Sequence, residues 1–199
     1  ETAFPIPNIL ASVNAFQLGA QSVNPDVETT LVFNNAWVDP VKEAAATNAL
    51  VDSGVDVVTM IVDSPVTVVQ TAEERGIKSV GFHSGAVAEF APEGWLTGVD
   101  YTWGDLYTRL VTSVMDGTWK SEHIRGGIES DYIGLAPFGP SVTPEVQAQI
   151  EAAKAALISG ELTIFEGPIY DNEGTLRIAE GESGGLELLD STDWLIDGV

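Results

Sequence analysis

The sequence predicts an α/β protein in which a parallel sheet is flanked by helices, and two observations support this. Extended and helical patterns alternate between residues 27 and 82 at the spacing of β–α–β units, whose right-handed crossovers make successive strands parallel. Residues 56–62 (Asp-Val-Val-Thr-Met-Ile-Val) also form an almost continuous apolar run, which is typical of a strand covered on both faces. We therefore expect one buried parallel sheet.

The first predicted helix runs from Asn8, which can cap its start, to about Ser22. Its apolar residues recur at steps of three and four, as on one face of a helix; they are Ile9, Val13, Phe16 and Ala20. Pro25 and Asp26 end this pattern, and we predict that residues 27–37 form a strand.

Two further helices have clear start signals. Asp39-Pro40 places a capping carboxylate before a proline at the first helical position, and the helix that it opens ends at Ser53-Gly54. Ser64-Pro65 opens the next helix in the same way, and Gly76 ends it. Residues 77–82 follow as the third strand.

After Gly98 the pattern changes. Residues 103–116 predict an amphipathic helix whose apolar stripe consists of Leu106, Leu110, Val111 and Val114. A short strand is predicted within residues 128–138, and Thr143-Pro144 opens an alanine-rich helix that ends at Gly160. The remainder alternates short extended pieces with glycine turns; the pieces are 162–165 and 175–178, with a turn at 171–174.

Composition narrows the classes of function. The 199 residues include 8 Lys and Arg against 30 Asp and Glu, a net charge of −22, which repels nucleic acid and anionic membrane surfaces. With no cysteine and only two histidines, a disulfide framework, a thiolate nucleophile and a histidine-rich metal centre are excluded. We therefore expect no nucleic-acid partner, no metal and no cofactor.

Candidate ligand-binding residues follow the predicted strands. Ligands of open parallel sheets bind outside the carboxyl ends of the strands, which here carry Asn35 and Trp37, then Asp63, then His83. The Trp37 indole can stack on a planar ligand or cap the edge of the sheet as part of the core, and both interpretations stay open. Asp39 fits a helix cap better than a ligand contact, whereas Asp63 is freer to face a ligand.

Tyr101 and Trp103 form a second aromatic cluster beside Asp100. Aromatic side chains with a few carboxylates describe a small-molecule cleft. The G-x-S-x-G, G-x-x-x-x-G-K-[ST] and G-x-G-x-x-G motifs are absent from the sequence. Ser84 and His83 cannot act as a catalytic pair, because neighbours on a strand point to opposite faces. We predict a binding protein and not an enzyme.

Several stretches together resemble the BMP (basic membrane lipoprotein, PnrA-like) family of bacterial substrate-binding proteins, which serve ABC transporters for purine nucleosides and related compounds. The resemblance covers essentially every residue, and its last three stretches are specific in combination. The stretches are Ala3-Phe4-Pro5-Ile6-Pro7, Asn14-Ala15-Phe16, Trp37-Val38-Asp39-Pro40 with Lys42-Glu43, Asp63-Ser64-Pro65, Asp116-Gly117-Thr118-Trp119-Lys120, Leu135-Ala136-Pro137-Phe138, and Gly167-Pro168-Ile169 leading to Asp193-Trp194.

The resemblance implies a type I periplasmic-binding-protein-like fold, with two α/β lobes that clamp a ligand. Residues 1–98 and 133–199 would form the C-terminal lobe, and residues 99–132 a return segment of the N-terminal lobe, most of which would precede Glu1. The implied partners are that lobe, a small-molecule ligand and an ABC permease. The implied location is the periplasm or cell envelope. A lipid anchor attached upstream of this chain is one implied way of holding the protein there.

The resemblance also bears on the ligand. Trp37 stands where family members place an aromatic ring against the purine base, His83 where they carry an aspartate for the ribose hydroxyls, and Tyr101 where they carry a lysine. A carboxylate can accept from two hydroxyls, but a neutral imidazole accepts from only one. These departures favour a free purine base or similar heterocycle over a nucleoside. The full predicted ligand-binding set is Asn35, Trp37, Asp63, His83, Tyr101 and Trp103.

Two other functions stay open. One is the ligand-sensing domain of a regulator or chemoreceptor, since lobes of this type are reused in that way. The other is a nucleoside-processing enzyme, which the missing acid–base constellation argues against.

Overall fold

The computed structural model describes residues 1–199 as six helices and six short strands. The helices are α1 (Pro7–Gln21), α2 (Pro40–Asp52), α3 (Pro65–Arg75), α4 (Gly104–Met115), α5 (Pro144–Ser159) and α6 (Leu188–Ser191). The strands are β1 (Val57–Thr59), β2 (Lys78–Gly81), β3 (Trp95–Tyr101), β4 (Ile133–Leu135), β5 (Ile169–Tyr170) and β6 (Leu176–Ile178).

The main sheet has the order β1-β2-β3-β4. The pairs β1–β2 and β2–β3 are parallel, and β4 is antiparallel to β3. Thr2 adds parallel bridges to Phe33 and to Ile61, so the first residues of the chain lie between the segment that contains Phe33 and the end of β1. The structure thus confirms the predicted fold class, a parallel sheet flanked by helices.

The main core lies between this sheet and helices α2 and α3. Its eleven buried residues are Leu50, Val58, Met60, Val62, Val68, Val69, Ala72, Val87, Ala91, Trp95 and Ala136. Trp95 packs so closely on β2 that a Cβ atom at Gly81 would lie 2.3 Å from its ring. Its indole nitrogen donates to the Pro137 carbonyl at 2.9 Å, which ties the segment after β4 to the core.

Most of the predicted helices form, with some changes at their starts. Asp39 caps α2 by accepting from the Lys42 amide, and Thr143 caps α5 by accepting from the Val146 amide. Asn8 does not cap α1, which starts one residue earlier at Pro7 with no side-chain cap. Ser64 precedes α3 but makes no capping bond.

One predicted strand and one predicted extended piece do not form. Residues 27–37 make only the single bridge at Phe33, because other groups bind this backbone: Gln17 donates to the Val27 carbonyl and the Gly198 carbonyl accepts from the Thr29 amide. Residues 162–165, which were predicted as a short extended piece, contain no strand. The Leu162 amide donates to the Ala156 carbonyl in the last turns of α5.

The predicted strand 56–62 is shorter and less buried than expected. Its regular part is β1, and Val57 within it is 36 % exposed, whereas Val58, Met60 and Val62 are buried. Burial therefore alternates along this segment, and continuous hydrophobicity did not mean that both faces are covered.

The C-terminal residues pack on α1. The buried Asn14 side chain donates to the Trp194 carbonyl and accepts from the Ile196 amide. A small second core of Ile169, Ile178 and Ile196 joins the β5–β6 hairpin to this end of the chain. The predicted turn at 171–174 connects the two strands of the hairpin.

Helices α4 and α5 contain no buried residue. On the predicted stripe of α4, Leu106 and Leu110 are half-buried, while Val111 and Val114 are 59 % and 61 % exposed. None of the helices combines the length and hydrophobicity needed to cross a membrane.

Candidate functional site

The predicted site residues lie along one edge of the main sheet. Trp37 follows the segment bridged at Phe33, Asp63 follows β1, and His83 follows β2. Tyr101 is the last residue of β3, and Trp103 immediately precedes α4. Because these strands are parallel, all of these positions meet at the carboxyl edge, where α/β folds bind ligands.

Asp63 lies between Trp37 and His83 on this edge and contacts both residues. Its backbone amide donates to the Trp37 carbonyl at 2.8 Å, and its carboxylate Oδ1 lies 3.4 Å from His83 Nε2. The Nε2 atom is shielded from solvent but makes no hydrogen bond of acceptable geometry, even to Asp63. Since the carboxylate is more than half exposed, it can accept from a ligand as well as face the imidazole.

Aromatic rings continue the edge beyond His83. The centroid of the His83 ring is 5.7 Å from that of Tyr101, and the Tyr101 ring is 4.7 Å from that of Trp103. Tyr107 on the first turn of α4 adds a further edge-on contact with Trp103 at 6.0 Å. We call His83, Tyr101, Trp103 and Tyr107 the aromatic band.

Trp37 stands at the other end of the site. Its ring lies edge-on to that of Phe4, with centroids 5.5 Å apart, and the residue is 37 % exposed. A tryptophan in the core would be covered, as Trp95 is at 2 % exposure. The structure therefore does not place Trp37 in the core, and its side chain is partly open to solvent.

Two site residues have backbones in the left-handed region. Asn35 has φ of 57° and His83 has φ of 73°. Asparagine and histidine adopt this region more often than most residues, but it is uncommon outside glycine and costs free energy unless the surroundings fix it. His83 follows β2, whereas the Asn35 side chain turns back to the Phe33 carbonyl at 3.5 Å. Strain of this kind is concentrated at binding sites.

The chemistry of the site is that of recognition. Burial raises the pKa of the Tyr101 phenol above its ordinary value of 10.0, so the hydroxyl stays protonated and can donate a hydrogen bond. None of the six predicted residues is a lysine or arginine. Ser84 accepts from the Ala86 amide and is not paired with His83. No cluster of three metal-ligating side chains is present.

Sequence reasoning missed three aromatic residues of this edge. Phe4 supports Trp37, Phe82 contacts both His83 and Tyr101, and Tyr107 extends the aromatic band. Phe4 could have been found, because it follows the same kind of strand end within the Ala3–Pro7 stretch. Tyr107 could not, since its placement depends on how α4 leaves the sheet.

The chain has a periplasmic-binding-protein-like α/β fold. Solved structures of ABC transporter solute-binding proteins from Conexibacter woesei and Aeropyrum pernix share this fold, with TM-scores of 0.66 and 0.64 at 20 % and 19 % identity. They cover 81 % and 84 % of this chain, which covers 54 % and 56 % of theirs. A transcriptional activator of the comK gene from Bacillus halodurans has the same fold, with a TM-score of 0.70, 24 % identity, and 81 % and 56 % coverage.

The family model for PnrA-like ABC transporter substrate-binding proteins matches residues 2–173, and the chain belongs to this family. It is 39 % identical over 195 residues to a purine-binding protein of Brucella abortus, covering 98 % of this chain and 55 % of that protein. It is 34 % identical over 171 residues to a protein of Haloferax volcanii named as an ABC transporter glucose-binding protein, covering 86 % and 43 %. The proteins of this family, including the Brucella abortus relative, bind solutes and are not enzymes.

The chain spans about half the length of the curated relatives that it matches. The family assignment therefore applies to the residues present, and it does not identify the ligand.

Proposed function

We propose that this chain forms one face of a ligand cleft in the substrate-binding protein of an ABC importer, and that the ligand is a free purine base or a similar flat heterocycle. One observation carries the proposal. Trp37, Asp63, His83, Tyr101 and Trp103 form a continuous series of contacts along the carboxyl edge of a parallel sheet, where an exposed indole and polar groups can hold a planar ring.

The preference for a base rests on what surrounds His83. The aromatic rings of Phe82 and Tyr101 pack on its imidazole, and its Nε2 faces Asp63. A ribose needs acceptors for two adjacent hydroxyls, and an imidazole supplies at most one. A flat ring with donors and acceptors on its edge makes better use of the stacking surface, the Asp63 carboxylate and the Tyr101 hydroxyl.

The cleft needs a second face, which we place in a lobe outside these 199 residues. The exposed stripe of α4 supports this, because Val111 and Val114 are apolar and 59 % and 61 % exposed, on a helix that contains no buried residue. Residues 99–132 would then belong to that second lobe, with 1–98 and 133–199 forming this one. Closure of the two lobes on a ligand would create the surface that a permease recognises.

This role also places the protein outside the cytoplasm, in the periplasm or bound to the cell envelope. A lipid anchor upstream of Glu1 is one way to hold it there. The relatives support a role in uptake: the Brucella abortus relative is named as purine-binding and the family as ABC transporter substrate-binding.

Competition calorimetry on the full-length protein tests the proposed ligand. We expect adenine, hypoxanthine or guanine to bind at least ten times more tightly than adenosine, inosine or guanosine, and glucose to show no binding. A preference for the nucleosides would mean that residues other than His83 and Tyr101 hold a ribose. Tight binding of glucose, by analogy with the name of the Haloferax volcanii relative, would overturn the purine proposal.

A further inference from the structure

A fully buried carboxylate lies directly beneath the proposed site. Glu43 on the first turns of α2 is 0 % exposed. Its Oε1 atom accepts two hydrogen bonds, from the Asp39 amide at 3.0 Å and from the Ser64 hydroxyl at 2.5 Å. Its Oε2 atom is buried without a hydrogen-bond partner.

The two donors belong to two loops that carry site residues, the Trp37 loop (residues 34–39) and the Asp63 loop (residues 60–64). Asp39 lies two residues after Trp37, and Ser64 lies directly after Asp63. The same loops are joined once more, by the bond from the Asp63 amide to the Trp37 carbonyl. Glu43 therefore provides the second of two links between the ring that can stack on a ligand and the carboxylate that can accept from it.

The start of the Trp37 loop is fixed by a second buried carboxylate. The Glu1 side chain accepts from Asn34 Nδ2 and from Thr47 Oγ1, both at 3.1 Å. Asn34 Oδ1 in turn accepts from the Ala36 amide at 3.0 Å. Buried side chains thus hold the loop on both sides of Trp37, at Ala36 and at Asp39, and only Glu43 also reaches the Asp63 loop.

The bond from the Asp39 amide also supports the start of α2, since Asp39 is the N-cap of that helix, but it does not require the Glu43 carboxylate to be buried. An unpartnered carboxylate oxygen in the interior lowers stability, and apolar residues of similar size are often better tolerated there. Ser64 precedes α3 without capping it, and its hydroxyl donates to Glu43 on a different helix. The burial of Glu43 and its bond across to Ser64 are explained if these bonds maintain the position of the two loops.

We propose that Glu43 is a positioning residue of the ligand site, which fixes the distance between Trp37 and Asp63 through Asp39 and Ser64. This inference rests on the proposed function for its effect on affinity. Its effect on the Trp37 loop does not depend on any ligand.

The test compares Glu43→Ala with Glu73→Ala in the full-length protein. Glu73 is a matched control, because its carboxylate also accepts two hydrogen bonds, from the Glu93 and Gly94 amides, but joins no site loop. We expect Glu43→Ala to weaken adenine binding about tenfold or more, the effect of losing one or two hydrogen bonds to a charged group. Glu73→Ala should leave affinity within about twofold, and Glu43→Gln, which keeps the accepting oxygen, should restore most of it.

A double-mutant cycle separates positioning from a general loss of structure. If Glu43 acts through Trp37, then Glu43→Ala should weaken binding by less than about twofold once Trp37 is alanine. An equal loss in both backgrounds, or unchanged affinity of a folded Glu43→Ala variant, would overturn the inference. If Glu43→Ala does not fold, Ser64→Ala removes one of the two bonds, and the same two outcomes are decisive for it.

A ligand-independent measurement distinguishes failure of this inference from failure of the proposed function. The indole N–H signal of Trp37, assigned with Trp37→Phe, reports loop mobility through its heteronuclear NOE. We expect that NOE to fall in Glu43→Ala and not in Glu73→Ala, even if no purine binds the wild-type protein. No purine binding with a reduced NOE overturns only the ligand, whereas an unchanged NOE overturns the role of Glu43.

Discussion

Helices α3 and α4 have nearly the same length, 11 and 12 residues, but opposite environments. Helix α3 buries five side chains, including Val68 and Val69 at 0 % exposure, between the sheet and α2. Helix α4 has an apolar stripe of its own, but it contains no buried residue, and Leu106 and Leu110 are only half-buried. An amphipathic sequence therefore specifies which face of a helix needs cover, but not which part of a protein provides it.

The difference follows from the topology of the sheet. Helix α3 joins two adjacent parallel strands, so its crossover returns it to the sheet and covers it. Helix α4 follows β3, and the chain comes back as the antiparallel strand β4, with a long excursion between the two. An excursion need not cover its own sheet, and its apolar face is free to serve another lobe.

The strongest test of this contrast places the same charge on each helix. Val68→Asp should unfold the chain, since an unpaired carboxylate in the core costs at least about 4 kcal/mol, a large part of the stability of a domain. Val114→Asp should change the unfolding free energy of the 199-residue chain by less than about 0.5 kcal/mol. Urea unfolding measures both.

The same pair sharpens the two-lobe proposal. In the full-length protein, Val114→Asp should become strongly destabilising, because the proposed second lobe covers α4 there. Equal stability of Val114→Asp and wild type in the full-length protein would leave α4 without a covering lobe. A large effect in the 199-residue chain would mean that the stripe packs within it.

Two tryptophans extend the comparison from helices to single side chains. Trp95→Ala should lower the unfolding free energy by about 3–5 kcal/mol, the usual effect of removing a large buried ring. Trp37→Ala should leave stability nearly unchanged and weaken binding of a purine by about 1–3 kcal/mol, the range for loss of an aromatic stacking surface. Denaturant unfolding and calorimetry separate the two effects, and a destabilised Trp37→Ala with normal affinity would assign Trp37 to the core.

The sequence alone predicted the elements whose signals are local. Helix boundaries are predicted from adjacent residues: the Asp39 and Thr143 caps, the prolines that follow them, and the glycines that end α3 and α5. These helices form where they were predicted. Residues 27–37 failed because their apolar pattern resembles a strand, but the Gln17 side chain and the Gly198 carbonyl bind the backbone instead. Contacts between residues that are distant in sequence are not visible in a periodic pattern.

The candidate site was predicted in the same way and has the same limit. Four of the six predicted residues, Asn35, Trp37, Asp63 and His83, follow from one rule, that groups after parallel strands share an edge. Tyr101 and Trp103 were predicted as a second aromatic cluster. The structure brings five of the six into one series of contacts. Asn35 lies beside Trp37 on the same loop, but its side chain reaches only the Phe33 carbonyl, at 3.5 Å. Glu43 could not be predicted, because its role depends on two loops meeting above it.

Two helix caps test whether α5 is as loosely attached as α4. Asp39→Ala should lower the unfolding free energy by about 1 kcal/mol, as expected for loss of an N-cap, because α2 is packed in the core. Thr143→Ala removes the equivalent bond from α5, which buries no residue, and should leave that free energy unchanged while speeding amide exchange within α5. Equal global destabilisation by both variants would show that α5 unfolds together with the core.

The smallest expected effect compares two carboxylate–arginine pairs in acid. Asp171 is 2 % exposed and accepts from Arg177 Nε at 2.6 Å and from the Glu173 and Thr175 amides. Burial alone would raise the pKa of this carboxyl, but these bonds outweigh it and lower the pKa below the ordinary value of 3.8. Asp190 pairs with Arg125, which also lowers its pKa, but the Asp190 side chain is 61 % exposed.

A pKa that is lower in the folded state gives stability that is present above the unfolded value and is lost as pH falls through the folded value. Wild type should therefore lose the contribution of Asp171 below about pH 4, and Asp171→Asn should show a flatter decline in unfolding free energy there. Asp190→Asn should follow wild type, since solvent screens an exposed pair. Urea unfolding between pH 2.5 and 6, about the range of carboxyl titration, decides this: parallel declines for wild type and Asp171→Asn would mean that the Asp171 bonds persist in the unfolded chain or add nothing to the fold.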